Sequence, residues 1–289
     1  MTVANLIESS LEDALKGLDD PAAPAGLVAA IRHAVFPGGA RVRPRLCLAA
    51  AMACGNDDPR LAVASAAAIE LLHCASLVHD DLPCFDDATV RRGRPSVHCA
   101  FGERLAVLAG DALIVMAFEV VAAAEARHPA RLGPIVGVIG RSVGAPHGIT
   151  AGQAWECEKS IDIEAYHRSK TGALFVGSAA VGALAAGGRA ADWTQFGDLL
   201  GLAYQTADDL QDAVGDVQVI GKPVGRDAAL ARPSAVATLG VGGAVRRVKA
   251  LVREAVDSIP QCSGRASLVD LVASEMQRFL PPHVELRAA

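Results

Sequence analysis

Aromatic residues are scarce in this sequence of 289 residues, where they make up 4% against 52% for all hydrophobic residues. Strands favour aromatic and β-branched side chains, whereas alanine, which supplies much of the hydrophobic content here, has the highest helix propensity. The composition therefore argues against a β-sheet protein and favours closely packed helices. The length allows one large domain or two small ones.

Basic residues are not in excess either, because 27 lysines and arginines stand against 32 aspartates and glutamates, which gives a net charge of −5. Proteins that bind nucleic acids usually carry the opposite balance, so no nucleic-acid partner is expected. The seven cysteines are odd in number and include no Cys-x-x-Cys pair. That pattern fits small buried side chains in a reducing compartment.

A secretory signal is not apparent in the sequence, because residues 1–17 contain acidic side chains and no apolar core followed by a small-residue cleavage site. The most apolar long stretch, residues 105–124, is interrupted by Asp111 and Glu119. We therefore expect a buried core helix there and no stable membrane span. The expected protein is soluble and cytoplasmic.

Apolar periodicity and helix-breaking residues predict about ten helices joined by short connections. Their approximate bounds are 7–18, 27–35, 44–55, 59–79, 103–126, 132–151, 162–186, 192–214, 241–258 and 265–279. Polar loops are expected at residues 91–95 and 215–232. The sequence contains no clear repeat or linker, so we predict an all-α fold in which residues 1–289 form one helical bundle.

Two acidic clusters end otherwise apolar stretches of the chain. Residues 79–87 read His-Asp-Asp-Leu-Pro-Cys-Phe-Asp-Asp, and residues 207–212 read Ala-Asp-Asp-Leu-Gln-Asp. Carboxylates on an apolar background need something that offsets their desolvation. The clusters are therefore candidates for a functional site.

The spacing within each cluster predicts how its carboxylates are arranged. On a helix, Asp208 and Asp212 lie one turn apart on one face. Asp80 and Asp86 would diverge by about 120° around an unbroken helix. Pro83 lies between them, and a proline inside a helix breaks or kinks it. We expect a distorted turn there that brings Asp86 back toward Asp80.

Two facing groups of oxygen ligands suit a hard cation. Magnesium takes one or two carboxylates per ion and bridges to substrate phosphates, so the clusters predict a magnesium–diphosphate site. The alternatives are helix caps or solvated helix ends, and a di-iron carboxylate bundle with Glu-x-x-His pairs. Three pairs have that spacing: Glu70 with His73, Glu125 with His128, and Glu164 with His167. The di-iron alternative leaves both aspartate clusters unexplained.

Cationic residues occur in the same predicted loops and turns, which is the arrangement that a diphosphate needs. They are Arg41, Arg43, Arg91, Arg92, Lys170, Lys222 and Arg226. Each one alone is typical of a solvated surface charge. Their proximity in sequence to glycine turns and aspartates favours anion binding.

Seven ordered motifs make the chain resemble the trans-prenyl diphosphate synthases over essentially its whole length. They are Gly38 to Pro44, His73 to Asp86, Arg91 to Gly93, Leu108 to Leu113, Lys170 to Leu174, Gln205 to Asp212, and Gly221 to Pro223. Within that family the chain is most similar to bacterial geranylgeranyl diphosphate synthases of carotenoid pathways. The resemblance implies the fold of the isoprenoid synthases, with helices around a central substrate cavity, and a homodimer.

The resemblance also implies a role for each matching residue. Magnesium ions on the allylic diphosphate would be held by Asp80, Asp86, Asp208 and Asp212, which together with Lys170 carry the catalysis. The same substrate would be surrounded by Arg91, Lys170, Thr171, Gln205 and Lys222. The diphosphate of isopentenyl diphosphate would be bound by Arg43, His73 and Arg92.

The chain departs from the family pattern at several positions. Ala40 stands where most members have a lysine that contacts isopentenyl diphosphate, and Ala88 and Thr89 stand where the first acidic motif normally continues as aspartates. Farther on, Arg232 and Ser234 replace a lysine and a threonine. The alternatives left open are a farnesyl or longer-chain synthase and a weakly active regulatory subunit. A terpene cyclase is disfavoured by the complete second acidic motif.

The implied reaction is a head-to-tail condensation in which the allylic diphosphate ionises and the double bond of isopentenyl diphosphate attacks the cation. The chain would grow along a tunnel beside the helix that precedes Asp80. Family members that stop at farnesyl have a bulky aromatic residue near the positions that are Ala75 and Ser76 here. Both residues are small, so we expect a deeper tunnel toward Leu72, Met116 and Phe118, and a geranylgeranyl product.

Overall fold

The computed structural model describes residues 2–36, 38–214 and 234–279, and most of these residues are helical. The helices are α1 (Val3–Leu15), α2 (Ala25–Val35), α3 (Val42–Ala53), α4 (Pro59–Asp80), α5 (Val97–Phe101), α6 (Glu103–Ala122), α7 (Leu132–Val143), α8 (Ile149–Ala154), α9 (Ile163–His167), α10 (Ala173–Ala185), α11 (Thr194–Val214), α12 (Ala235–Asp257) and α13 (Arg265–Phe279). The prediction of an all-α fold is confirmed.

Capping residues explain where the first long helices begin. The Thr2 hydroxyl accepts a hydrogen bond from the Asn5 backbone N–H at 3.2 Å. Asp58 plays the same part for α4 by accepting from the Leu61 N–H at 3.3 Å, and Pro59 occupies the first helical position, where no N–H is needed.

The described chain departs from the predicted helices at three places. Helix α5 lies between the predicted loop 91–95 and the predicted helix 103–126, where no helix was predicted. Residues 144–148 separate α7 from α8 within the predicted helix 132–151. The predicted helix 162–186 is divided by a π-helical turn, Arg168–Gly172, into α9 and α10. The expected polar loop at residues 91–95 is a hairpin of two short antiparallel strands, β1 (Val90–Arg91) and β2 (Arg94–Pro95).

The buried residues form two clusters that meet at α3 and α10. One cluster contains side chains of α1, α2, α4, α6 and α7, and the other contains side chains of α11, α12 and α13. Small residues let the helices approach closely: a Cβ at Gly182 of α10 would overlap the backbone carbonyl of Cys47 in α3. The alanine-rich composition therefore serves close helix packing.

Helix α6 differs from the expected buried core helix. Only one of its faces is buried, and the other exposes Val107, Leu108 and Val115, the last of these at 56%. By length and composition, α4 and α6 both qualify as membrane-crossing helices, but the apolar window of α4 is 72% buried inside the protein, against 33% for α6. Helix α4 is thus a core helix, whereas α6 has an uncovered apolar face.

Candidate active site

The first acidic cluster lies where α4 ends. The Asp86 backbone N–H donates to the Asp80 carbonyl at 2.9 Å, so the chain doubles back around Pro83. This reversal confirms the expected distorted turn, which brings Asp86 next to Asp80. An unbroken helix would have placed the two residues on different faces.

Lys170 connects this turn to a second carboxylate. Its ammonium group donates to Asp80 Oδ1 at 3.2 Å and to Glu156 Oε1 at 2.5 Å. The Tyr166 hydroxyl also donates to Glu156 Oε1, at 2.7 Å. Lys170 lies on the π-helical turn, a distortion that often occurs at functional sites.

The same π-helical turn contacts the second acidic cluster on α11. The Thr171 hydroxyl donates to Gln205 Oε1 at 2.5 Å, and the Gln205 amide donates to Asp209 Oδ1 at 2.8 Å. Asp209 Oδ2 accepts the Ala235 backbone N–H at 2.7 Å. Neighbouring residues 170 and 171 therefore tie both acidic clusters to one turn. Burial raises the pKa of Asp209, although the hydrogen bonds from the Ala235 N–H and the Gln205 amide oppose the shift.

Arg91 on the hairpin forms a bidentate pair with Asp81. Its Nε donates to both carboxylate oxygens of Asp81, at 3.0 and 3.1 Å, and its Nη2 also contacts Oδ1. Asp81 is 2% exposed. Burial raises the pKa of Asp81, and the Arg91 charge opposes that shift. We call Asp80, Asp81, Arg91, Glu156 and Lys170 the carboxylate-paired site.

Two arginines and a histidine lie together beside α4, and we call Arg43, His73 and Arg92 the arginine pocket. Arg43 is 8% exposed, and its Nη1 lies 3.4 Å from His73 Nε2. Its guanidinium carbon lies 4.7 Å from the centre of the Phe175 ring. Arg92 points its Nη1 at Cys74 Sγ, 3.9 Å away.

The electrostatics of the arginine pocket favour an anion. Burial lowers the pKa of His73 well below its ordinary range, and the charges of Arg43 and Arg92 lower it further. Burial also lowers the pKa of Arg43. The Arg43 Nε has no hydrogen-bond partner among the described residues. An anionic group is the partner that would satisfy such buried donors.

Two groups of residues singled out in the sequence are engaged elsewhere. Arg41 donates to Glu8 Oε1 at 2.9 Å and to Glu70 Oε1 at 2.7 Å, so it braces α1 against α4. Glu125 pairs with Arg60, and Glu164 pairs with Arg168 at 2.9 Å. The glutamates considered for a di-iron site are therefore bound to arginines. Within the described ranges, no group of three or more His, Cys, Asp or Glu side chains is arranged to hold a metal ion.

The residues expected to set product length lie between α4 and α6. Leu72, Ala75 and Met116 are buried in the first core cluster, and Phe118 packs against it. Ser76 is half-buried and donates its hydroxyl to the His73 carbonyl at 2.9 Å. A cleft of about 550 Å³ lies elsewhere, lined by residues of α7, α9, the π-helical turn and α10.

Several expectations fall outside the described residues, among them Lys222, Arg226, Arg232 and the motif Gly221 to Pro223. Conversely, the sequence analysis missed Glu156 and Tyr166. Nothing in the local spacing singles out Glu156, because residues 156–164 also contain Glu158, Asp162 and Glu164.

Comparisons with known proteins show which family the chain is similar to. A family model described as polyprenyl synthetase matches residues 24–267. The chain is 49% identical to a geranylgeranyl diphosphate synthase of Cereibacter sphaeroides over 287 residues, which is 99% of this chain and 100% of that protein. It is 48% identical to one of Rhodobacter capsulatus over 272 residues, 94% of each chain. A solved geranylgeranyl pyrophosphate synthetase of Pyrococcus horikoshii superposes with a TM-score of 0.78 at 30% identity, covering 93% of this chain and 94% of that one.

Proposed function

Because this chain belongs to the polyprenyl synthetase family, we propose that it condenses isopentenyl diphosphate with allylic diphosphates and releases geranylgeranyl diphosphate. One observation carries the proposal: the π-helical turn ties both acidic clusters together through Lys170 and Thr171. A reaction between two diphosphates needs two anion sites. The carboxylate-paired site would bind the allylic diphosphate, and the arginine pocket would bind isopentenyl diphosphate.

We propose that Asp80, Asp86, Asp208 and Asp212 hold magnesium ions. Oxygen donors of this kind fit magnesium. Because magnesium takes few carboxylates and fills its remaining positions with water and phosphate, the lack of a tight three-ligand group among the described residues agrees with it. When bound, magnesium neutralises the negative charge of the departing diphosphate.

The chain's own residues account for the rest of the allylic site in this proposal. Lys170 has three N–H donors, of which Asp80 and Glu156 take two. The third can meet the allylic diphosphate and stabilise the charge that develops as its C–O bond breaks. The allylic diphosphate would also be surrounded by Thr171, Gln205 and Arg91. Lys222, which lies outside the described residues, is assigned the same role by resemblance.

The arginine pocket would bind the diphosphate of isopentenyl diphosphate. Arg43, His73 and Arg92 supply donors there, and Arg41 is excluded because Glu8 and Glu70 already bind it. The pocket lacks the lysine that most family members have at the position of Ala40. Affinity for this substrate should therefore depend on Arg43, His73 and Arg92.

Product length is assigned to the small residues on α4. Ala75 is buried against the first core cluster, and an alanine cannot close a tunnel as an aromatic residue can. We expect a C20 product from the wild-type protein and C15 as the main product of Ala75→Tyr or Ala75→Phe.

The exposed face of α6 supports the proposal that the protein is a homodimer. Val107, Leu108 and Val115 form an apolar surface on this helix, which a second copy of the chain would cover. We also propose a cytoplasmic location, with no nucleic-acid partner and no stable membrane span.

Chromatography of the products tests the assignment of function. Purified protein is incubated with magnesium, isopentenyl diphosphate and labelled allylic starters, and the chain lengths are measured for wild type and the Ala75 variants. A wild-type protein that stops at C15 would falsify the proposed tunnel floor. Absence of turnover by the protein alone would favour the regulatory-subunit alternative, and longer products would favour a polyprenyl synthase.

A further inference from the structure

Among the described residues, three polar side chains converge on Glu156. Its Oε1 accepts from Lys170 Nζ at 2.5 Å and from the Tyr166 hydroxyl at 2.7 Å. Its Oε2 lies 3.5 Å from the amide nitrogen of Gln153. One carboxylate oxygen thus holds both a cation and a hydroxyl, which fixes the position of that oxygen more firmly than either contact alone.

The backbone brings Glu156 and Lys170 together. Helix α8 lies so close to the π-helical turn that a Cβ at Gly152 would overlap the backbone nitrogen of Lys170. Glu156 follows α8 on a single 3₁₀ turn, Trp155–Cys157. The Tyr166 ring centre lies 5.9 Å from Lys170 Nζ on the same side. The close approach at Gly152 therefore sets the carboxylate beside the lysine.

The two carboxylates that bind Lys170 have different roles in the proposed reaction. Asp80 is one of the residues that would hold magnesium in the proposed function, so it would share its carboxylate between the metal ion and Lys170. Glu156 is not so assigned, and it can keep its ion pair with the lysine throughout. Without the Glu156 ion pair, the flexible four-carbon side chain of Lys170 would let the ammonium group move away from the diphosphate.

We propose that Glu156 and Tyr166 are positioning residues that hold the Lys170 ammonium group in place for the allylic diphosphate. Glu156 supplies the charge that retains Lys170, and the Tyr166 hydroxyl fixes the orientation of the Glu156 carboxylate. The inference rests on the proposed function, because it gives Lys170 its ligand.

The test uses Glu156→Gln, Tyr166→Phe and the double variant in the full-length protein. Glu158→Gln is the matched control, since it makes the same chemical change two residues away at an exposed position. Calorimetry measures the affinity for geranyl thiolodiphosphate, an unreactive allylic analogue, in the presence of magnesium. Steady-state kinetics measures both Michaelis constants, and thermal unfolding verifies that each variant folds.

Glu156→Gln should weaken binding of the analogue and raise the allylic Michaelis constant about tenfold or more, as expected for loss of a charge-assisted hydrogen bond. Tyr166→Phe should weaken binding of the analogue and raise the allylic Michaelis constant about threefold. The Michaelis constant for isopentenyl diphosphate should stay within about twofold. The double variant should match Glu156→Gln, because the hydroxyl acts through that carboxylate.

Equal rises in both Michaelis constants would overturn the inference, as would additive effects of the two substitutions or variants indistinguishable from Glu158→Gln. In each of these cases an active wild type leaves the proposed function standing. If the wild type neither binds the analogue nor turns over, the proposed function fails and this inference fails with it.

Discussion

The carboxylate-paired site and the arginine pocket both carry cationic side chains, but their charges are balanced differently. In the first, Lys170 lies between Asp80 and Glu156, and Arg91 is bound by Asp81. In the second, Arg92 Nη2 lies 3.7 Å from Glu70 Oε1, and Glu70 already accepts from Arg41.

This difference predicts how each site meets its ligand. Cations in the carboxylate-paired site must exchange or share their partners when a metal ion and a diphosphate bind. Among the described residues, neither arginine of the arginine pocket has a bidentate carboxylate partner, so an anion can bind them without displacing one. The hairpin β1–β2 links the two, because it carries Arg91 on one side and Arg92 on the other.

The largest expected effect is the loss of an aspartate assigned to magnesium. Asp80→Ala or Asp208→Ala should lower kcat by orders of magnitude while thermal unfolding stays close to wild type, because the charge of the departing diphosphate is no longer balanced. EDTA should abolish turnover, and added magnesium should restore it. Near-normal activity in either variant would show that its aspartate does not belong to the metal site.

A smaller effect separates the two anion sites from each other. Arg92→Ala should raise the Michaelis constant for isopentenyl diphosphate about tenfold and leave the allylic constant nearly unchanged. Lys170→Ala should do the reverse. Initial rates measured with each substrate varied in turn provide the comparison. Equal changes in both constants for Arg92→Ala would mean that the two sites have been assigned wrongly.

Much of this arrangement is predictable from the sequence because it depends on local rules. Pro83 predicts the reversal that joins Asp86 to Asp80, and the four-residue spacing of Asp208 and Asp212 predicts one helical face. The all-α fold follows from alanine content and apolar periodicity. The division of the predicted helix 162–186 was missed, because a π-helical turn depends on tertiary contacts and has no strong composition signal.

Contacts between side chains far apart in the sequence could not be predicted either. Arg41 lies two residues from Arg43 and in the same motif, yet one is bound by Glu8 and Glu70 and the other stacks on Phe175. Glu156 reaches Lys170 only because α8 packs against the π-helical turn. Such partners are chosen by packing between elements far apart in sequence.

Asp81 offers a finer test of the carboxylate-paired site. Asp81→Asn keeps the shape of the side chain but removes the charge that binds Arg91, which is itself 25% exposed. Stability should fall by about 1–3 kcal/mol, and the allylic Michaelis constant should rise about threefold as Arg91 loses its orientation. Chemical unfolding and initial rates measure these effects. Asp87→Asn is the control, because Asp87 is largely exposed. A response no larger than in this control would show that the pair does not orient Arg91.

The smallest expected effect comes from His73, and it reports on the burial of this side chain and on the positive charges around it in the arginine pocket. Burial and then the neighbouring arginines lower the pKa of His73 well below its ordinary value of 6.5. On acidification the unfolded chain takes up a proton near that value, whereas the folded chain stays neutral down to its lower pKa. The unfolded state therefore binds more protons in this window, and the stability contributed by neutral His73 is complete above pH 6.5 and is lost as the pH falls below it.

We expect urea unfolding to show an additional loss approaching about 1.4 kcal/mol per pH unit below pH 6.5 in the wild type relative to His73→Gln. Comparing the two proteins cancels the pH-dependent stability that comes from carboxylates titrating in the same range. Inorganic pyrophosphate should reduce the difference, because an anion beside Arg43 and Arg92 offsets the positive charge that keeps His73 neutral. Parallel pH profiles for the two proteins would show that folding does not lower the pKa of His73. A difference that pyrophosphate leaves unchanged would show that the charges of Arg43 and Arg92 do not contribute to the shift.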